Sequence, residues 1–174
     1  VQRSTTEDRE RMEDGKEQYS SALASANRML ARRQHAVREL ETKLMARFDR
    51  EPVGRVIERL GELGYLNDEE FAREYARQRF GRSPRSSLSV IVELEGRGVD
   101  RDIAGRAVDG VLEDEGLSDE ALAESAARKK MAALGPRSAG QLKAKVYAFL
   151  AARGFSRTVA RRIVLDVLGS EMED

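Results

Sequence analysis

From Ala22 onward apolar residues recur every three or four positions: Leu23, Ala26 and Leu30, then Val37, Leu40 and Leu44, then Val53, Val56, Ile57 and Leu60. That spacing lines one face of each of several successive helices. No stretch alternates apolar and polar residues with period two, and Val90-Ile91-Val92 is the only short β-branched cluster, so residues 22–168 read as all-α. Residues 1–20 differ, because Glu7, Asp8, Arg9, Glu10 and Arg11 follow one another with almost no apolar face. A segment of that kind cannot bury enough surface to offset its ordering entropy, which predicts a mobile tail or a solvated helix.

The breaks between periodic stretches are well marked. Pro52, Pro84 and Pro136, the only three prolines, fall where they can start helices without interrupting them. Asn67 with Glu70, just ahead of Phe71, has the form of a capping box, and Asp100, Ser118 and Ser156 are placed to cap the helices that follow them. Helix ends repeat one arrangement: Leu60-x-x-x-Gly64-Tyr65, Leu94-x-x-x-Gly98-Val99 and Leu150-x-x-x-Gly154-Phe155. Each reads as a left-handed glycine stop whose next residue folds back onto the leucine.

Spacing extends the repetition. Phe71–Arg79 aligns with Leu122–Lys130 at an offset of 51, Leu44 precedes Leu94 by 50, and Leu94 precedes Leu150 by 56. Units of about fifty residues, each with three short helices, account for these offsets. The expected division is a charged tail at 1–21, units at 22–66, 67–116 and 117–168, and an acidic end at 169–174. The first unit departs from the pattern at Met45-Ala46-Arg47-Phe48, which has no glycine stop and one residue fewer.

The chain has 174 residues, with 31 Lys+Arg against 31 Asp+Glu and a mean hydropathy of −0.58. No apolar run approaches the ~18 residues that would cross a bilayer, and no secretory signal is visible. The absence of cysteine excludes disulfide scaffolds and thiolate chemistry, and fits a cytoplasmic protein. The chain opens on Val1 rather than Met, which leaves room for native residues upstream.

The even charge balance conceals a segregation. Residues 100–124 carry a net −7, residues 125–162 carry +10 without a single acid, and the segment from 163 carries −4. The ten bases are Arg128, Lys129, Lys130, Arg137, Lys143, Lys145, Arg153, Arg157, Arg161 and Arg162. They predict a basic face that meets nucleic-acid phosphate or an acidic protein surface. The plainer alternative is that they complement helix C-terminal dipoles and pair with the preceding acids, although dipoles need only one or two bases per helix end. Arg73, Arg77 and Arg79 lie on the helix beginning at Asp68, where Glu70 and Glu74 precede them and helix-internal salt bridges would also explain them. Tyr65, Phe71 and Tyr75 are expected in the core rather than at a contact surface.

Catalytic motifs are missing: there is no phosphate-binding glycine loop, no dinucleotide fingerprint and no His-Glu-x-x-His. One histidine and no cysteine leave no Ser-His-Asp or Cys-His set that stands out, since Asp and Ser alone abound on any charged surface. His35 sits among Arg32, Arg33 and Arg38 with Glu39 as its one nearby acid, so no metal site is expected. Neither enzymatic activity nor a cofactor is expected.

Gly64-Tyr65-Leu66-Asn67-Asp68 running into Phe71-Ala72-Arg73-Glu74-Tyr75, with Arg79 beyond, resembles the RecX regulators of the bacterial recombinase RecA. Arg38-Glu39-Leu40-x-x-x-Leu44, Glu93-Leu94-x-x-x-Gly98-Val99 and Phe149-Leu150-x-x-Arg153-Gly154-Phe155 follow the family's order, and the similarity spans about 22–168. The resemblance implies three tandem three-helix units in an elongated, curved body that lies in the groove of the recombinase–DNA filament. It further implies restraint of ATP hydrolysis, strand exchange and filament growth, a place in DNA repair and the SOS response, and a monomer with at most weak, unspecific DNA contact of its own. It also directs Arg79 toward function. Where the family often has a Gly/Pro turn and a basic residue ahead of its second-unit Glu-Leu, this chain has Arg85-Ser86-Ser87-Leu88-Ser89-Val90, with the base displaced to Arg82 and Arg85.

Two other readings compete. Phe149–Phe155 followed by the helix of Arg157, Arg161 and Arg162 has the outline of a helix-turn-helix, which would bind duplex DNA. A helical scaffold with self-compensating charge is the other.

Overall fold

A computed structural model of the chain describes the backbone of residues 2–135 and 138–170 and the side chains of residues 12–135 and 138–169. Within them the chain is all helix: α1 (Gln2–Leu30), α2 (Val37–Met45), α3 (Arg50–Glu62), α4 (Asp68–Arg82), α5 (Ser87–Glu95), α6 (Arg101–Asp114), α7 (Asp119–Leu134), α8 (Ala139–Ala152) and α9 (Arg157–Ser170). The β-branched Val90-Ile91-Val92 is a turn of α5. Of the two alternatives for the N-terminal stretch, the structure takes the helix, and α1 continues unbroken through Ser21 with mostly exposed side chains from Met12 to Gln18. Pro136, Arg137 and residues 171–174 of the acidic end lie outside the described residues.

The chain divides into two compact units, Val1–Phe71 with Arg97–Val99, and Ala72–Gly96 with Asp100–Asp174. In the first, α1 packs on α2 and α3, and α2 packs on α3. Their periodic faces meet in a core of Ala22, Ala26, Leu40, Leu44, Val53, Val56, Leu60 and Leu66. Each fully buried leucine there contributes about 1.5–3 kcal/mol. In the second unit α5 packs on α6, while α7, α8 and α9 pack on one another around Leu122, Ala126, Val146, Leu150 and Val167.

Helix ends follow the expected chemistry. Asn67 accepts from the Glu69 and Glu70 amides at 3.0 and 3.1 Å, and Asp100, Ser118 and Ser156 cap α6, α7 and α9. Gly64, Gly98 and Gly154 all have positive φ, and the amides of Tyr65 and Phe155 bond back to Leu60 and Leu150 at 2.9 and 3.2 Å. A fourth stop escaped the sequence reading: Gly116, at φ 60°, lets the Leu117 amide reach the Leu112 carbonyl at 2.8 Å. Caps at Ser86 and Ser138 escaped it too. At Ala46–Phe48 the helix ends without a left-handed residue, and the amides of Arg47 and Phe48 both bond to the Leu44 carbonyl. Tyr65 is not in the core. It is 66% exposed, because the chain leaving Gly64 inserts the next residue, Leu66, instead.

The repeat is most concrete where one helix start is closed from outside its own segment. Ala36, at the cap position of α2, has no side-chain oxygen; Asp68 substitutes, accepting from the Val37 amide at 2.8 Å. Fifty-one residues on, Asp119 accepts from the Ser87 amide at the start of α5, also at 2.8 Å. A glycine stop covers each of these starts. A Cβ on Gly98 would stand 2.6 Å from the Arg38 Cβ, and one on Gly154 would stand 1.8 Å from the Ser89 hydroxyl oxygen. Asp68→Ala is expected to lower stability by about 1–2 kcal/mol, with Asp68→Asn losing less because an amide oxygen still caps. Urea unfolding of the two variants checks this, and equal midpoints for Asp68→Ala and the parent would contradict it.

Candidate functional site

The longest cationic stretch of the sequence is divided by the fold. Several predicted bases are neutralised by acids. Arg73 pairs with Asp114 of α6, and Arg77 lies 3.8 and 3.6 Å from Asp114 and Glu115. These partners come from α6 and not from Glu70 or Glu74 as the spacing along α4 suggested. Gly110 leaves the room that Arg73 needs to reach across, since a Cβ there would stand 2.6 Å from its guanidinium. Arg128 pairs with Glu124 at 2.9 Å and Arg162 with Glu120 at 3.1 Å. Lys143, Lys145, Arg157 and Arg161 are exposed and form no ion pair with a described residue, as does Arg82 at the end of α4. Arg137 lies outside the described residues.

The remaining bases converge. Glu93 on α5 accepts from the Tyr75 hydroxyl at 2.6 Å and from Arg79 Nε at 2.7 Å, and its other oxygen faces Arg85 Nε at 3.1 Å, off the hydrogen-bonding line. Tyr75 and Arg79 are one turn apart on α4, so both side chains reach the same point on α5. Arg153, from the end of α8, joins this group through the α4–α5 connection. Its Nη1 donates to the Ser83 hydroxyl at 2.7 Å and the Pro84 carbonyl at 3.3 Å. Its own carbonyl accepts from the Ser86 amide at 3.2 Å and the Ser89 hydroxyl at 3.1 Å. Phe149 gathers two cations over its ring, Arg153 at 4.3 Å and Lys130 at 5.2 Å, an arrangement favoured by the ring quadrupole. Lys129 donates to the Gly81 carbonyl at 3.3 Å.

One carboxylate therefore serves two cations. For Arg79 burial disfavours the charge, but the Tyr75 hydroxyl and Glu93 outweigh it and raise the pKa. For Arg153 the balance runs the other way: burial, then repulsion from Arg85 and Arg79, lowers it. Arg153 Nε is buried without a hydrogen-bond partner, and no acid stands within ion-pair range of Arg153 among the described residues. This cluster was legible only in part. Tyr75, Arg79 and Glu93 all belong to the motif residues, but nothing along the chain says that they meet.

In the first unit a cavity of about 230 Å³ is lined by Leu30, Gln34, His35, Gly64, Tyr65 and Phe71, among others. His35 is buried, with Nδ1 3.0 Å from the Arg33 carbonyl and Nε2 3.3 Å from Lys43 Nζ. Burial pushes its pKa down, and the Lys43 ammonium, which can only donate, makes Nε2 the acceptor of that contact. Arg33 and then Lys43, acting against burial, hold Glu39 at about 2. No group of three or more His, Cys, Asp or Glu residues suited to a metal ion occurs among the described residues. No described helix is long and apolar enough to cross a membrane.

The fold and the site define an all-helical protein of tandem three-helix repeats in which two arginines share one carboxylate beside a third arginine without an acid partner among the described residues. Models for the second and third three-helix domains of RecX match residues 67–108 and 118–164. The regulatory protein RecX of Chlorobaculum tepidum is 37% identical over 161 residues, which cover 92% of this chain and 95% of that protein. That of Pelodictyon phaeoclathratiforme is 34% identical, covering 77% of this chain and 81% of its own. Mycobacterium marinum RecX is 29% identical, over 92% and 91% of the two chains. In three dimensions the crystal structure of RecX from Lactobacillus salivarius superposes with a TM-score of 0.69 at 20% identity, over 86% of this chain and 96% of that one, which speaks to the fold alone. The chain belongs to the RecX family of regulatory proteins.

Proposed function

We propose that this protein is a non-enzymatic regulator that binds the filament of a RecA-type recombinase on DNA. In this reading it acts in the cytoplasm as a monomer built of three repeats (22–66, 67–116 and 117–168), and restrains ATP hydrolysis, strand exchange and filament growth. The observation that carries it is the match, over 92% of the chain, to a protein named as a regulator of this family. A body of repeated modules that presents cations from several helices can touch more than one filament subunit at once and gain from multivalency. Bridging of that kind slows the subunit rearrangements that accompany nucleotide turnover. Titration into recombinase on single-stranded DNA is expected to depress ATP hydrolysis at stoichiometric ratios; no effect at those ratios would overturn the proposal.

The helix-turn-helix alternative draws less support. Of the four bases it would use at the end of α8 and on α9, Arg153 is turned onto Ser83 and Pro84 and Arg162 onto Glu120. Arg157 and Arg161 remain for a major groove, fewer than the steep salt dependence of a tight duplex binder requires.

A further inference from the structure

We propose that Arg79, Arg85 and Arg153 form a site for a phosphodiester group of a nucleic-acid backbone. The inference rests on the filament reading for the presence of DNA, and it narrows the working surface from a long basic run to one cluster. Arg79 and Arg85 share one carboxylate, Glu93, while Arg153 and Lys130 stand over the Phe149 ring with Arg153 bonded to the α4–α5 connection, so positive charge exceeds negative at the junction of α4, α5 and α8. The excess is concentrated on Arg153, which has no acid partner among the described residues and is fixed in place by Ser83, Pro84 and the face of Phe149. A cation held without a counter-ion against two other arginines is costly to the folded chain, and an incoming anion relieves that cost. Side-chain exposures of 34% for Arg79 and 32% for Arg85 leave both reachable from solvent.

The layout of the charges favours a polyanion over an isolated carboxylate: Glu93 occupies the position between Arg79 and Arg85, so an incoming anion meets Arg153 first and competes with Glu93 for the other two. Exposed Arg82 and Lys129 flank the cluster along α4 and α7, as suits a polyanion with repeating charges.

The test is fluorescence anisotropy of a labelled oligothymidylate, and of a duplex of equal length, with the full chain. Arg153→Gln and the double variant Arg79→Gln/Arg85→Gln are each expected to weaken binding about tenfold, and to flatten the dependence of log K on log salt by about 1 per lost contact. Arg101→Gln, a surface base paired with Glu95 at 3.0 Å, is expected to bind as the parent does. Melting curves identify a variant that fails to fold, and each substitution set probes the site on its own. Parent-like affinity and salt slope in either folded variant set would overturn the site, as would equal competition by polyglutamate. Loss of oligonucleotide binding in the variants, with no effect of the parent on recombinase ATP hydrolysis, would leave the site standing and remove the filament reading. The converse pattern, parent-like oligonucleotide binding with ATP hydrolysis restrained by parent and variants alike, removes the site and leaves that reading.

Discussion

Gly154→Ala is expected to destabilise the second unit by about 3 kcal/mol, the sum of two costs. The backbone at Gly154 has φ 82°, a left-handed conformation that costs a residue with a Cβ roughly 1–2 kcal/mol. The added carbon would also stand 1.8 Å from the Ser89 hydroxyl oxygen and 2.8 Å from that of Ser86. Neither serine can step aside cheaply. Ser86 caps α5 and is only 2% exposed, and the Ser89 hydroxyl donates to the Arg153 carbonyl at 3.1 Å. Relieving such an overlap costs about 1–3 kcal/mol. Gly105→Ala is the matched comparison: it lies within α6 with nothing within 4 Å of a new Cβ, and is expected to stabilise by about 0.5–1 kcal/mol. Urea unfolding measures both, and similar midpoints for the two variants would contradict the close approach of Gly154 to α5.

Glu93→Gln is expected to separate stability from ligand affinity. The carboxylate is the acid of both the Arg79 and the Arg85 ion pairs, and it also accepts from the Tyr75 hydroxyl. Removing its charge leaves the arginines facing one another. Breaking a fully buried pair costs about 3–5 kcal/mol, and with side chains 22–34% exposed the expected loss is nearer 2 kcal/mol, because solvent screens part of the repulsion. Added salt is expected to restore some of it. The same substitution removes the internal competitor for an incoming phosphate, so oligonucleotide affinity is expected to rise several-fold at low salt while the melting temperature falls. A parallel loss of stability and affinity would show that Glu93 instead shapes the arginines into their binding geometry.

The contrast between these residues and the rest of the chain explains what could be read from sequence. Caps at Asn67, Asp100, Ser118 and Ser156 were legible because a capping bond closes within three residues. Glycine stops at Gly64, Gly98 and Gly154 are legible because the bonds that close such a stop span only about five residues, and Gly116 carries the same pattern. Arg73 and Arg77 were not. Their nearest acids in sequence lie on their own helix, but the fold brings Asp114 and Glu115 to them from the C-terminal end of α6. Tyr65 was placed in the core by its position after a glycine stop, yet the turn sends Leu66 inward.

The sequence by itself determined the helices and most of their ends, since these follow from interactions within a turn or two of chain, whereas the contacts of Asp68 and Asp119 with helix starts some thirty residues earlier do not. Only the tertiary structure decided which charges are free. Ten bases in thirty-eight residues define a total and say nothing of partners. Arg162 finds Glu120 on another helix, while Arg153 meets the repulsion of Arg79 and Arg85 across roughly seventy residues of chain. Coulomb energies depend on distance in space, and that distance is set by how the helices pack.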